Sequence, residues 1–312
     1  VSAGMTGRER FRAAAARQEV DQRPVGCWIH FGSALWPAEI SAAAHLRFAE
    51  EYGFDYIKVM NDYRFPTEGG LQEAREPEEL RRVGGPGLEY DNRARQVEVL
   101  RRVREAAPER AVLDTVFSPF QTVVRTLGRS AVPLLQARPE IAHEVIGAVA
   151  DRLVEHLEVT ADHVDALFFS VNGSSRDEHG FGLSPEEFRD WVAPYDRRVL
   201  EAAADRVRVA HIHGYDLDAA LTQDYPFEVL SWSHNQTVPP VEDLATTGPV
   251  PMGGLDEVAS LYWPPSAARE NVLDTRRRSA DALIVAPGCT VHSDTPPSVI
   301  AALVAAAREP LG

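Results

Sequence analysis

The sequence predicts an α/β fold, a single-domain TIM (β/α)8 barrel, and three observations predict it. Eight short apolar runs alternate with longer amphipathic stretches, an order that implies a parallel sheet. The chain of 312 residues, 44% hydrophobic, suits one large core built from eight units of about 30 residues. Most polar side chains within the apolar runs gather at their C-terminal ends, where barrels of this kind carry their chemistry. The competing doubly wound sheet lacks support, because no G-x-G-x-x-G turn follows the first run.

The strand expectations, in order, are VGCWIHF from Val25, DYIKVM from Asp55, RAVLDTVF from Arg110 and VDALFFSV from Val164, followed by VRVAHIHG from Val207, FEVLSWSH from Phe227, GPVPMGG from Gly248 and ALIVAPGC from Ala282. Helices are expected from Ala38, Asn92, Pro139, Ser184 and Ser266. The Ser184 helix carries its own start signal: a serine N-cap, Pro185 at the first helical position and Glu187 at the third. Residues 1–24 read as an N-terminal helical extension of the one domain.

A net charge of −15 and a pI near 5.1 exclude a phosphate-binding face as the main feature, so nucleic acid is not an expected partner. Neither a membrane-length apolar run nor a secretory leader pattern is present, which leads to the expectation of a soluble cytoplasmic protein. Two cysteines, Cys27 and Cys289, cannot build a disulfide framework. Lys58 is the only lysine.

The strand ends carry His30, Asn61, Asp62, Asn172, His211, His213, His234 and Cys289. In an extended strand, residues two apart share a face, so His211 and His213 should project side by side. Two imidazoles and a thiolate suit a tetrahedral Zn²⁺ site, giving His211, His213 and Cys289 as ligands with His234 as a candidate fourth. Asp62 and His30 are candidate catalytic groups, while Asn61, Asn172 and Lys58 are candidate substrate contacts. Each has a plainer reading as well: a buried ion pair for Lys58, a helix cap for Asp62 and a packed ring for His30. The polar loop NGSSRDEHGFGLSPEEF after the fourth run reads by default as solvated surface, with a lid or substrate wall over the mouth as the alternative.

The opening MTGRERFRAAAARQEVDQRPVG, FDYIKVMND, LSPEEFRDWVAPYDRRVLEAA, PVPMGGLD and the ending IVAPGCTVHSDTPPSVIAALVAAARE resemble the uroporphyrinogen decarboxylase superfamily. The resemblance implies a TIM barrel with its active site in the C-terminal mouth. It also implies one of two chemistries: cofactor-free decarboxylation, or zinc-dependent methyl or alkyl transfer to a thiol. The decarboxylases carry an arginine-rich RQAGRY-like segment after the first strand, where this chain reads WIHFGSALWP. Asp62 matches the catalytic aspartate of that branch in position, but the arginines are missing. The thiol transferases bind zinc through His-x-Cys and a later Gly-Cys; here His211-Ile-His213 and Gly288-Cys289 stand in those places.

The resemblance thus favours a zinc-dependent methyl or alkyl transferase using a small-molecule thiol, with a methylcorrinoid on a partner protein as one donor; related barrels often form homodimers, while this sequence does not give the oligomeric state. The alternatives are a cofactor-free decarboxylase of a smaller acid, a zinc-dependent lyase or hydrolase, and a barrel that binds without turnover.

Overall fold

The computed structural model describes residues 4–84 and 91–311. Among these residues seven parallel strands form one sheet in sequential order: β1 (Tyr56–Val59), β2 (Ala111–Phe117), β3 (Ala166–Val171), β4 (Val207–Ile212), β5 (Val229–Trp232), β6 (Val250–Leu255) and β7 (Ile284–Pro287). The helices are α1 (Gly7–Ala15), α2 (Ala38–Tyr52), α3 (Asp91–Ala106), α4 (Pro119–Leu127), α5 (Ala131–Ala137) and α6 (Pro139–Thr160). Then come α7 (Pro185–Glu187), which runs through a π turn into α8 (Ala193–Ala202), α9 (Pro265–Arg278) and α10 (Pro297–Arg308). The arrangement is consistent with a TIM-like barrel.

Seven strands, not eight, is a correction to the sequence expectation. The Val25 segment makes only an isolated bridge to Val285, although the Asp55 N–H also donates to the Val25 carbonyl at 2.8 Å. The reason lies in Tyr56, whose ring fills the space beside Gly26 so closely that a Cβ there would sit 2.5 Å from it. The Val285 carbonyl is shared between the Gly26 N–H at 3.2 Å and the Tyr56 hydroxyl at 2.9 Å, and the Val25 N–H donates to the Asp55 carboxylate at 2.9 Å instead of to a neighbouring strand.

Strand alternation sorts the core into layers. Tyr56, Leu113, Phe168, Val209, Val229, Met252 and Ile284 face inward as one buried cluster, while Ile57, Val112, Leu167, Phe169, Ala210 and Leu230 pack outward against helices. Helix α1 opens with the capping box of Thr6 and Glu9, and its Phe11, Ala14 and Ala15 join the inward cluster. Its arginines anchor it to carboxylates that precede the strands. Arg8 and Arg12 each reach Asp165 at 2.7 Å, Arg104 pairs with the same carboxylate, and Arg10 holds Asp21 and Asp55. The N-terminal end of the sheet is thereby covered. The expected cap at Ser184 forms as a full capping box.

Candidate metal centre in the barrel mouth

The inward positions of β4 continue past its end, which sets His211 and His213 on one face with ring centroids 5.8 Å apart. The turn after β7 brings in Cys289, whose Sγ lies 3.5 Å from His211 Nε2 and 3.8 Å from His213 Nδ1. The three ligand-type atoms all fall within 4.8 Å of one another. Gly288 makes the approach feasible, since a Cβ at that position would meet Glu257 Oε2 at 2.5 Å and the Trp232 carbonyl at 3.0 Å.

Neighbouring groups orient the set. Ser231 on β5 stands in register with His211 and bonds its Nδ1 at 3.1 Å, leaving Nε2 toward the thiol, as hydrogen-bond partners of ligating histidines commonly do. His179 meets the His213 ring edge-on at 4.3 Å and is itself held by Asp177, which accepts from the His179 backbone N–H at 2.8 Å. The loop read by default as solvated surface therefore packs against the His213 ring.

Burial sets the protonation of all three. It drives His211 well below the usual imidazole range, helped by the charges of His213 and Lys58, and brings His213 down to about 4. Burial also pushes the Cys289 thiol up to about 11, with the nearby Glu257 charge adding to the effect. At neutral pH the chain thus presents two neutral imidazoles and a protonated thiol.

Lys58 lies in the same cavity, of about 120 Å³. Its Nζ donates to Met60 Sδ at 2.8 Å and sits 4.3 Å from the Phe168 ring centroid. Burial lowers it to about 7, against the opposing pull of the Cys289 and Asp62 charges. His30 bonds Asp62 Oδ1 at 2.7 Å and Ser33 Oγ donates to Oδ2 at 2.9 Å. Burial would raise the Asp62 carboxyl, yet the bond and charge of His30 and the Ser33 bonds hold it well below the carboxylate range.

Other expected site residues lie apart from the metal-type group. The inward positions of β5 are 229 and 231, so His234 has the outward parity: its ring packs over Gly253 and its Nε2 meets Thr275 Oγ1 of α9 at 3.3 Å. It does not join the other three. Asn61 lines a neighbouring cleft of about 320 Å³ with a buried, unpartnered Oδ1. Asn172 is buried with its Oδ1 unpartnered and lines neither space among the described residues. Thr115, Gln121, Arg125 and Thr290, which sequence reading did not single out, also line the mouth. Thr115 shares the inward parity of Leu113, the one signal that could have found it.

A curled parallel sheet with a polar, thiol-bearing site at its strand ends is consistent with an enzyme of the TIM-like class. The family description "Uroporphyrinogen decarboxylase (URO-D)" matches residues 70–310, and the chain belongs to that family. Among solved structures it is similar to a methyltransferase from Methanosarcina mazei, with TM-score 0.78, 17% identity, and coverage of 97% of this chain and 98% of that one. A beta-N-acetylhexosaminidase matches with TM-score 0.54 at 12% identity, over 94% of this chain and 73% of the other. A Streptomyces plicatus beta-hexosaminidase matches with TM-score 0.51 at 13% identity, over 93% and 64%. These likenesses are of fold. No curated protein matches the chain. Among the described residues no helix is long and apolar enough to cross a membrane.

Proposed function

We propose that the protein is a zinc-dependent methyl or alkyl transferase that activates a thiol in the barrel mouth, the eighth barrel position being filled by the Val25 segment. The observation that carries the reading is the convergence of His211, His213 and Cys289 on one point. The donors suit the ion: two neutral nitrogens and one sulfur are a borderline-soft set, and three protein ligands leave room for a substrate. Zinc bound there would supply Lewis acidity, under which a thiol of ordinary pKa about 8.5 is a thiolate at neutral pH.

The chain's own residues do the rest. Ser231 fixes the His211 ring, Gly288 admits Cys289, and Trp28, Met60 and Phe168 keep the floor of the cavity dry. Lys58, able to exist in either protonation state near neutrality, holds or gives up a proton beside the reacting groups. The paired His30 and Asp62 place a fixed polar group at the rim to orient a polar substrate end. The carbon donor fits either a small molecule or a methylcorrinoid carried by a partner protein, and the M. mazei methyltransferase fold supports the general kind.

The test is metal content after purification without a histidine tag, for the parent and His211→Ala, His213→Ala and Cys289→Ala. About one zinc per chain, lost in each variant while the melting transition persists, is expected. Absence of zinc together with no tight uptake on titration would overturn the reading and direct attention to cofactor-free decarboxylation at Asp62.

A further inference from the structure

We infer that the cleft beside the mouth binds an organic carboxylate with an apolar body, and that Arg125 and Arg64 hold its charged end. The cleft encloses about 320 Å³ between the segment following β1, the end of β2, and helices α4 and α6. That is the lower end of the size range of small-molecule sites, roughly 300 to 1,000 Å³.

Its charge runs against the rest of the molecule. The chain has 47 acidic and 32 basic residues, yet among the described residues four arginines line this space, Arg64, Arg93, Arg125 and Arg152, against one carboxylate, Asp62. Asp62 is already engaged by His30 and Ser33. Arg93 and Arg152 both pair with Glu155, at 3.2 and 2.8 Å. Among the described residues, neither Arg64 nor Arg125 has a carboxylate within ion-pair distance or a hydrogen bond to the protein. One further donor lacks a partner: Arg152 Nε is buried on the cleft without a hydrogen bond. Unmet donors in an electropositive hollow are what a carboxylate satisfies, through charge-assisted bonds to planar guanidinium groups.

The other walls are apolar: Phe65, Val116, Phe117 and Leu153. Arg125 lies 3.7 Å over the Phe117 ring, which fixes its plane without neutralising it. A fully hydrated inorganic anion gains nothing from those walls, whereas an acid with a hydrocarbon or aromatic body does. Phe117 and Arg125 line the mouth cavity as well, so a molecule held here is continuous with the space that contains His211, His213 and Cys289. The arginines come from the β1 loop and α4, not from the segment after Val25 that holds acids in the decarboxylases. That the bound acid is a reactant rests on the transferase reading; that it binds does not.

The test is calorimetric titration of the full chain with biphenyl-4-carboxylate, biphenyl-4-carboxamide and inorganic phosphate, with a thermal melt of each variant. The carboxylate is expected to bind at least tenfold tighter than the amide, with phosphate weaker than both. Arg125→Gln and the exposed Arg64→Gln are each expected to lose about tenfold in carboxylate affinity while amide binding is kept, the size of a charged hydrogen bond. Cys289→Ala, whatever its metal content, is expected to bind the carboxylate unchanged, so failure of the metal reading shows separately. Equal affinity for acid and amide, phosphate binding as tight as the carboxylate, or unchanged carboxylate affinity in a folded Arg125→Gln would each overturn the inference.

Discussion

Lys58 should destabilise this protein, and replacing it with methionine should show by how much. Burial moves its pKa from the ordinary 10.5 to about 7. A drop of about 3.5 units corresponds to roughly 5 kcal/mol against folding wherever the unfolded chain is protonated and the native amine is charged or must lose its proton. The unfolded state binds more protons between pH 7 and 10.5, so the penalty is complete below about 7 and fades as pH rises toward 10.5. Lys58→Met keeps the unbranched shape but gives up the cation–π contact with Phe168, worth about 0.5–2 kcal/mol. The variant is therefore expected to be more stable by about 3 kcal/mol at pH 6, a rise in melting temperature of roughly 5 °C for a chain of this size. By pH 9.5 the gap should have fallen to about 1.4 kcal/mol, the one unit that still separates the pH from the ordinary 10.5. Urea unfolding of chelator-treated protein at both pH values measures this, while turnover should fall at either pH. A variant less stable than the parent at pH 6, or a gap that does not close with pH, would refute the reasoning.

Three other substitutions test the frame around the site. Asp165→Asn strips the carboxylate that binds Arg8, Arg12 and Arg104 and accepts from the Val112 N–H, and should cost about 3–5 kcal/mol at pH 7 by urea unfolding. Desolvation raises that carboxyl, but the Val112, Arg8 and Arg104 bonds outweigh it and lower its pKa, so its contribution should persist down to the ordinary 3.8 and vanish below the folded value. Gly288→Ala drives a methyl into Glu257 and the Trp232 carbonyl, and should lose about 1–3 kcal/mol of stability together with zinc uptake. His234→Ala, by contrast, should keep the parent's zinc stoichiometry while melting earlier, because its ring packs against α9.

Strand alternation was the part of the site most plainly written in the sequence. His211 and His213 needed only the rule that residues two apart share a face, and Cys289 only its place at the end of the last apolar run. The same rule, carried through β5 from Val229 and Ser231, would have turned His234 outward; its nearness to the strand end hid that. The missing eighth strand is a tertiary effect, since nothing local in VGCWIHF reveals that the Tyr56 ring crowds Gly26. The arginine cleft was illegible for a similar reason. Arg64, Arg125 and Arg152 lie far apart along a chain rich in arginine, and only the packing of α4 and α6 separates the unpaired guanidinium groups from the many that have carboxylates.

The donor set also fixes how metal uptake should respond to pH. Burial that holds His211 and His213 far below neutrality removes their protons before any ion arrives, so neither competes for a ligand site at pH 6 or above. The same burial keeps Cys289 protonated, and ionising a thiol at about 11 costs roughly 5 kcal/mol at pH 7, which binding must offset. One proton is therefore released per metal bound. A His-x-Cys and Cys set in an equally buried place would release two and carry one more negative charge. Zinc affinity of this chain should rise about tenfold per pH unit between 6 and 8, measured against a chelator of known affinity. A slope near two would mean that an imidazole is protonated in the free site, and a slope near zero that Cys289 is ionised already; either contradicts the burial that gives this mouth its character.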